Sequence, residues 1–264
     1  MKERTTGLPR SLPWWLHLHG AISAAFLLLP VLTLIAFSFS RSPSALKWGG
    51  FTFQWYLQLA GNERLLRAAE NSAIIAAAAT AIGLLLGIPA AIGHARLHRS
   101  RHTVAATLTL PLMAPDIVAA LSLKLWCVTL FSMAPGLPPM ILGHSLLAIA
   151  YTFLLVSSRL QRFDWNLTDA ARDLGASPWA TFQHILFPHL WPSIAGAALL
   201  SFGVSLDEYV ISNVLAGPGS STVPIETASM IRKSFTPEIN ALAVCLLVLS
   251  TSLALAALRL QQRK

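Results

Sequence analysis

Six stretches of the chain are almost free of Asp, Glu, Lys and Arg: about Ile22 to Ser38, Asn71 to Ala95, Val104 to Phe131, Met140 to Ser158, Leu190 to Leu215 and Asn240 to Leu258. A hydrocarbon core about 30 Å thick takes about 20 apolar residues of helix to cross, and each stretch is near that length or longer. Lipid offers no hydrogen-bond partners, so a crossing chain must pair its own backbone groups, and all six are predicted to be helices. The expected fold is an all-α membrane protein of six transmembrane helices. No glycine-rich linker or charge block interrupts residues 1–264, which predicts one transmembrane domain, and no repeat emerges at a period of about 20 to 50 residues. The second stretch carries Ala79, Gly83, Gly87 and Ala91 at four-residue intervals, a face of small side chains on which another helix can approach closely. Pro111 and Pro115 interrupt the third and are expected to bend it. Residues 41–70 and 216–238 hold Gly, Pro and Ser turn signals and are expected to be loops lying against the membrane.

Composition agrees with this pattern: 55% of residues are hydrophobic and 11% charged, against about 25% charged in an ordinary soluble domain. The net charge of +8 is spread as short basic clusters between apolar runs. Membrane proteins distribute charge in this way, whereas a nucleic-acid-binding face gathers it, so no nucleic-acid partner is expected. Lys2, Arg4 and Arg10 precede the first apolar run as in a signal peptide, and Ser38-Phe39-Ser40 resembles a cleavage site. The run exceeds the roughly 7 to 15 residues of a signal core, so an uncleaved first span is expected. With six spans, one side holds twelve basic residues (the two tails, Arg96, Arg99, Arg101, Arg159, Arg162 and Arg172 among them) and the other holds six. The positive-inside rule then places both termini in the cytoplasm. Cys127 and Cys245 stand alone inside apolar runs and are expected to be buried packing residues.

The most informative segment lies on the inner side, about residues 161–189, where residues 166–188 read NLTDAARDLGASPWATFQHILFP. Two short helices are predicted. The first has Asn166 and Thr168 as candidate caps, acidic residues in its opening turn and Gly175 as its stop. The second starts from Ser177 as cap and Pro178 at the first position, places Trp179, Phe182, Ile185 and Leu186 along one face, and ends before Pro188.

Asp169-Ala170-Ala171, Gly175, Ile185 and Phe187-Pro188 stand at the spacing EAA-x3-G-x9-I-x-LP. This resembles the EAA signature of permease subunits in binding-protein-dependent ABC importers, with Asp169 in place of the usual Glu and Phe187 in place of Leu. The resemblance covers nearly the whole chain and is nearest to the second permease subunit of spermidine/putrescine importers, carried by SFGVSLDEYVI at 201–211, Gly217-Pro218, Val223-Pro224-Ile225, PEINAL at 237–242 and MAPDIV at 113–118. It implies a type I importer permease fold in the bacterial inner membrane and import of a small solute, most often a polyamine. The implied partners are a second permease, an ATP-binding subunit dimer and a periplasmic solute-binding protein, besides the membrane lipid. Carried over by motif position, Asp169, Ala170, Ala171, Gly175, Ile185 and Pro188 would form the coupling element that docks on the ATPase.

Apart from histidine, the ionisable residues inside predicted spans are Asp116, Lys124, Asp207 and Glu208. A carboxylate at a helix centre costs about 2.5 to 3.5 kcal/mol on insertion scales, so such groups face a bundle interior, a partner or water. At about 1.5 Å per residue, Asp116 would lie roughly 18 Å and Asp207 roughly 26 Å from the inner ends of their spans, in the outer half of the bilayer. Carboxylates there would attract an organic cation, which makes Asp116, Asp207 and Glu208 candidate pathway residues. Adjacent helix residues point about 100° apart, so Asp207 is expected towards the pathway and Glu208 towards a neighbouring helix or subunit. Lys124 is expected to snorkel to the outer interface. The alternatives are that these charges pair within the protein, or that the chain is an integral membrane enzyme using them for acid–base chemistry. His94, His98 and His102 recur every four residues, but Arg96, Arg99 and Arg101 among them disfavour a divalent cation, and contact with lipid headgroups is expected instead. The phosphate-binding loop, HExxH and G-x-S-x-G are missing from the sequence. ATP hydrolysis is therefore assigned to a partner, and no cofactor is expected.

Overall fold

The computed structural model describes residues 14–44, 47–97, 101–233 and 236–262. Among the described residues the chain is helical, and the one pairing of extended backbone is an isolated bridge between Ser40 and Phe51. The helices are α1 (Trp14–Phe37), α2 (Gln54–Gly61), α3 (Glu63–Arg96), α4 (Arg101–Met113), α5 (Asp116–Thr129), α6 (Leu137–Leu160), α7 (Asn166–Asp173), α8 (Pro178–Thr181), a π-helical segment (Phe182–Leu186), α9 (Phe187–Asp207), α10 (Val210–Leu215), α11 (Val223–Lys233) and α12 (Pro237–Gln262). Among the described residues five runs are long and apolar enough to cross a membrane, and α4 with α5, bent by 101°, makes a sixth if the pair is taken as one span.

The chain divides into two compact units, Met1–Leu59 with Ser234–Cys245, and Ala60–Lys233 with Leu246–Lys264. In the first, α1 leaves Phe26, Leu27 and Leu29 exposed along a helix of 24 residues, a surface suited to hydrocarbon. Its end is tied into an aromatic knot. The Trp55 indole donates to the Ser40 carbonyl at 2.6 Å, and Phe39 stacks on Phe51 with ring centroids 5.1 Å apart.

The second unit is organised around α3 and α6. A Cβ added at Gly83 would stand 2.6 Å from the Ala148 Cβ, and one at Gly87 would stand 2.7 Å from the Thr152 Cβ. Ala79 and Ala91 are fully buried on the same face. The small-residue stripe is thus the seam where α6 meets α3 backbone to backbone. Towards one end of this seam Ala91, Phe153, Val156, Leu160, Leu190 and Ile194 pack together. Ile75, Ala120, Met140, Ile211 and Leu215 form a second cluster.

Four features depart from the sequence reading. The stretch 41–70 contains α2 and the first turns of α3, and 216–238 contains α11. A search for charge-free runs finds what can sit in lipid, not where a helix ends: Asn62 caps α3 through its side chain, accepting from the Leu65 amide at 3.2 Å, and charged residues continue the helix outwards. Span three is bent at Pro115 as expected, but by 101°, so the straight-helix depth expected for Asp116 does not apply. Span five is interrupted at Glu208-Tyr209. Pro188 does not end a helix: Pro178–Asp207 runs as one 30-residue rod. The turn before it is π-helical, the Phe187 amide bonding back to the Phe182 carbonyl, and this wider turn lets the helix run on through the proline.

Candidate functional site

Two constructions stand out, the loop between α6 and α9 and a cavity beside the end of α9. In the loop, Gly175 has φ +81°, the Gly175 amide bonds the Arg172 carbonyl and the Ala176 amide bonds the Ala171 carbonyl, both at 2.9 Å. This pair of bonds is a Schellman stop, and only glycine adopts its backbone without strain. Ser177 then caps α8, accepting from the Ala180 amide at 3.2 Å, with Pro178 at the first position as expected. The first helix is capped differently from the expectation. Asp164 accepts from the Asn166 amide at 3.0 Å, while Thr168 is buried and donates to the Trp165 carbonyl at 2.8 Å.

The loop is fastened to the spans at several points. The Arg96 guanidinium lies 4.7 Å from the centre of the Trp165 ring, joining the end of α3 to the start of α7. Phe163 meets Trp165 and His189 edge-on at 5.1 and 5.0 Å, and Arg159 at the end of α6 donates to the His189 carbonyl at 3.3 Å. A cavity of about 390 Å³ at this joint is lined by Arg96, Trp165, Thr168 and Asp169. The outward side is bare: Leu174 is 90% exposed, Trp179 is 69% exposed, and Asp169, Ala170, Gly175 and Pro188 are exposed beside them. Ala171 and Ile185 are half-buried.

The second construction is a cavity of about 600 Å³ between α6, α9 and α12. Leu155, Leu199, Leu200 and Leu253 give it apolar walls, and Gly196 and Gly203 leave it room. Its polar end holds Asp207, Glu208 and Ser250. Asp207 and Glu208 both line it, which the 100° rule for a continuous helix had excluded. The helix stops at Asp207, and Glu208 is extended with ψ 106°, so the rule lapses. The Glu208 carboxylate turns back to accept from the Ile211 amide at 3.0 Å and starts α10. Asp116 is not part of this cavity. It stands exposed at the first turn of α5, where an acidic residue complements the helix dipole, and lines a separate space of about 20 Å³.

Other expectations are corrected by contacts that spacing alone does not reveal. Lys124 does not snorkel: its ammonium donates to the Val214 carbonyl at 2.8 Å and closes the end of α10. His94 is buried edge-on to Phe153 at 5.1 Å rather than at a headgroup, while His98 and Arg99 lie outside the described residues. Cys127 is buried as expected, but Cys245 is exposed. The sequence reading missed His144, which is 2% exposed and bonds Ser205 and Ser212 at 2.7 and 3.0 Å. A histidine in an apolar run facing two serines seven residues apart was the available signal.

The spermidine/putrescine transport system permease protein PotC of Escherichia coli K12 is 35% identical over 233 residues, covering 88% of each chain. The putrescine transport system permease protein PotI of the same organism is 36% identical over 229 residues, covering 84% of this chain and 82% of its own. Among solved structures, a bacterial alginate ABC transporter in complex with its pentasaccharide-bound periplasmic protein superposes with a TM-score of 0.74 at 15% identity, over 94% of each chain. The MetNI methionine ABC transporter does so with a TM-score of 0.65 at 16% identity, over 75% of this chain and 94% of the other. Residues 83–264 match the family described as binding-protein-dependent transport system inner membrane component, and the chain belongs to that family of multi-pass transport subunits.

Proposed function

We propose that this chain is one permease half of an ATP-driven importer that carries a polyamine such as putrescine or spermidine into the cytoplasm, with both termini on the cytoplasmic side. The single observation that carries the solute class is the Asp207 carboxylate, beside Glu208 and Ser250 at the polar end of an otherwise apolar cavity of about 600 Å³ among the spans. A diaminoalkane has a complementary shape, ammonium ends on a methylene chain. At a separation of about 4 Å a carboxylate attracts an ammonium by about 4 kcal/mol at an effective dielectric constant of 20. The names of the two relatives at 35% and 36% identity point to the same solutes. Asp116, accessible at the bend in span three, serves as a second carboxylate on the route. Glu208 contributes to the cavity rim, although its carboxylate is partly committed to the Ile211 amide.

The loop supplies the coupling. An ATP-binding subunit docks on the bare face around Asp169, Ala170, Ala171 and Gly175, while Ile185 and Pro188 belong to the rod that continues into span five. Movement of that subunit therefore reaches the cavity wall through one helix, Pro178–Asp207. A second permease completes the pathway, and a periplasmic binding protein delivers the solute. The test is uptake of labelled putrescine by the whole transporter in proteoliposomes. Asp207→Asn should lower uptake by about tenfold or more, the loss of at least about 1.4 kcal/mol of attraction, with the complex still copurifying. Wild-type uptake by that variant would exclude Asp207 from the route.

A further inference from the structure

One buried side chain bridges the break in span five. His144 on α6 is buried, and its ring lies between two hydroxyls: Nδ1 is 2.7 Å from Ser205 on α9, and Nε2 is 3.0 Å from Ser212 on α10. A neutral imidazole has one donor and one acceptor, and a serine hydroxyl can play either part, so both bonds are made at once whichever nitrogen carries the proton. The remainder of α10 is equally constrained. Its start is capped by Glu208, and its last two carbonyls accept from Lys124, at Val214, and from the Gly136 amide, at Leu215. Gly143, next to His144, allows the close approach: a Cβ there would stand 2.6 Å from Ile211.

The break is therefore a built feature, and its geometry bears on Asp207. Ser205 and Asp207 are two residues apart on the last turn of α9, about 200° apart around the axis. When Ser205 is drawn to His144, Asp207 is turned to the opposite side, into the cavity with Ser250. We propose that His144 is the positioning residue of this permease: by clamping Ser205 and Ser212 it sets the rotation of the end of α9, and so presents Asp207 to the solute. This rests on the assignment of Asp207 to the pathway and adds the residue that aims it.

The experiment separates the two claims. In a chain carrying Cys127→Ala and Cys245→Ala, Asp207→Cys places a thiol at the cavity, and its labelling by a cationic methanethiosulfonate reagent is followed in the assembled transporter. His144→Ala should slow labelling by about tenfold, the scale of one lost buried hydrogen bond. His144→Asn, whose amide reaches the Ser205 side, should restore most of it. Ser205→Ala, which removes a single oxygen, should reproduce the loss and provides the test if His144→Ala does not assemble. In the native background, putrescine uptake per ATP hydrolysed should fall with His144→Ala and recover with His144→Asn. His144→Ala should have no further effect once Asp207→Asn is present. Unchanged labelling at position 207 in both His144→Ala and Ser205→Ala, or failure of His144→Asn to restore it, overturns the positioning role. Wild-type uptake by Asp207→Asn overturns the pathway assignment instead, whatever the labelling shows.

Discussion

Gly175 is the stop that the sequence predicts for α7, and the backbone shows why glycine stands there. Its φ of +81° lies where side-chain-bearing residues are strained, and an added Cβ would meet nothing within 4 Å. Gly175→Ala should therefore cost about 1 kcal/mol through conformation alone, loosening the stop of α7. Binding-protein-stimulated ATP hydrolysis by the complete transporter should drop while the purified permease pair keeps its melting temperature. Gly175→Asn should do less harm, since Asn tolerates the left-handed region. A different residue tests how burial weighs charge. Glu226 is 6% exposed and accepts from Ser221 at 2.6 Å and pairs with Arg64 at 3.0 Å, but the Arg64 side chain is 68% exposed. Water screens the arginine and not the glutamate. Glu226→Ala should thus lower thermal stability by about 1 to 3 kcal/mol, with Ser221 losing its partner, and Arg64→Ala should change it by well under about 1 kcal/mol. Equal losses from the two would mean that the ion pair carries the stability.

Among the elements, α3 and α6 were the most legible, because a four-residue spacing of Ala79, Gly83, Gly87 and Ala91 can only place small residues on one helix face. Their contact makes a sharp prediction. At Gly83 a Cβ would stand 2.6 Å from the Ala148 Cβ and 2.8 Å from its carbonyl carbon, whereas at Gly93 on the same helix nothing lies within 4 Å. Gly83→Leu should force α3 and α6 apart, costing about 1 to 3 kcal/mol or more. Gly93→Ala should be neutral or stabilise by up to about 1 kcal/mol through helix propensity. Thermal unfolding of the detergent-solubilised complex distinguishes them, and equal tolerance at both sites would mean the seam is not close-packed. The interruption of span five was not legible. No glycine or proline marks Glu208-Tyr209, and the break is fixed by partners distant in sequence, Lys124, Gly136 and His144, which no local pattern can identify. The π-helical turn before Pro188 was hidden for a related reason. A proline is a helix stop only when the preceding turn cannot re-route its hydrogen bonds, and here the Phe187 amide does so.

For the whole molecule, the number of spans was readable because hydrocarbon admits so few kinds of residue over so long a run, while α2 was not, since its eight residues are too few for a span, nor α11, which is amphipathic and keeps its charges. Orientation comes from the basic residues, and every coupling argument depends on it. Arg96, Arg159, Arg162 and Arg172 cluster where the inner loop meets α3, α6 and α9, whereas α11 and the start of α3 carry the smaller share of the basic residues. A fluorescent protein fused at the C-terminus should therefore mature and fluoresce, because it remains in the cytoplasm, and alkaline phosphatase fused after Gly61 should be active because it is exported. The reverse pattern would put Leu174 and the Schellman stop at Gly175 on the side of the membrane without ATP. A leucine 90% exposed at the tip of a lever would then have no ATP-binding subunit to meet, and the rod from Pro178 to Asp207 would transmit nothing to the cavity. Topology is thus the experiment on which the docking loop and the carboxylate cavity stand or fall together.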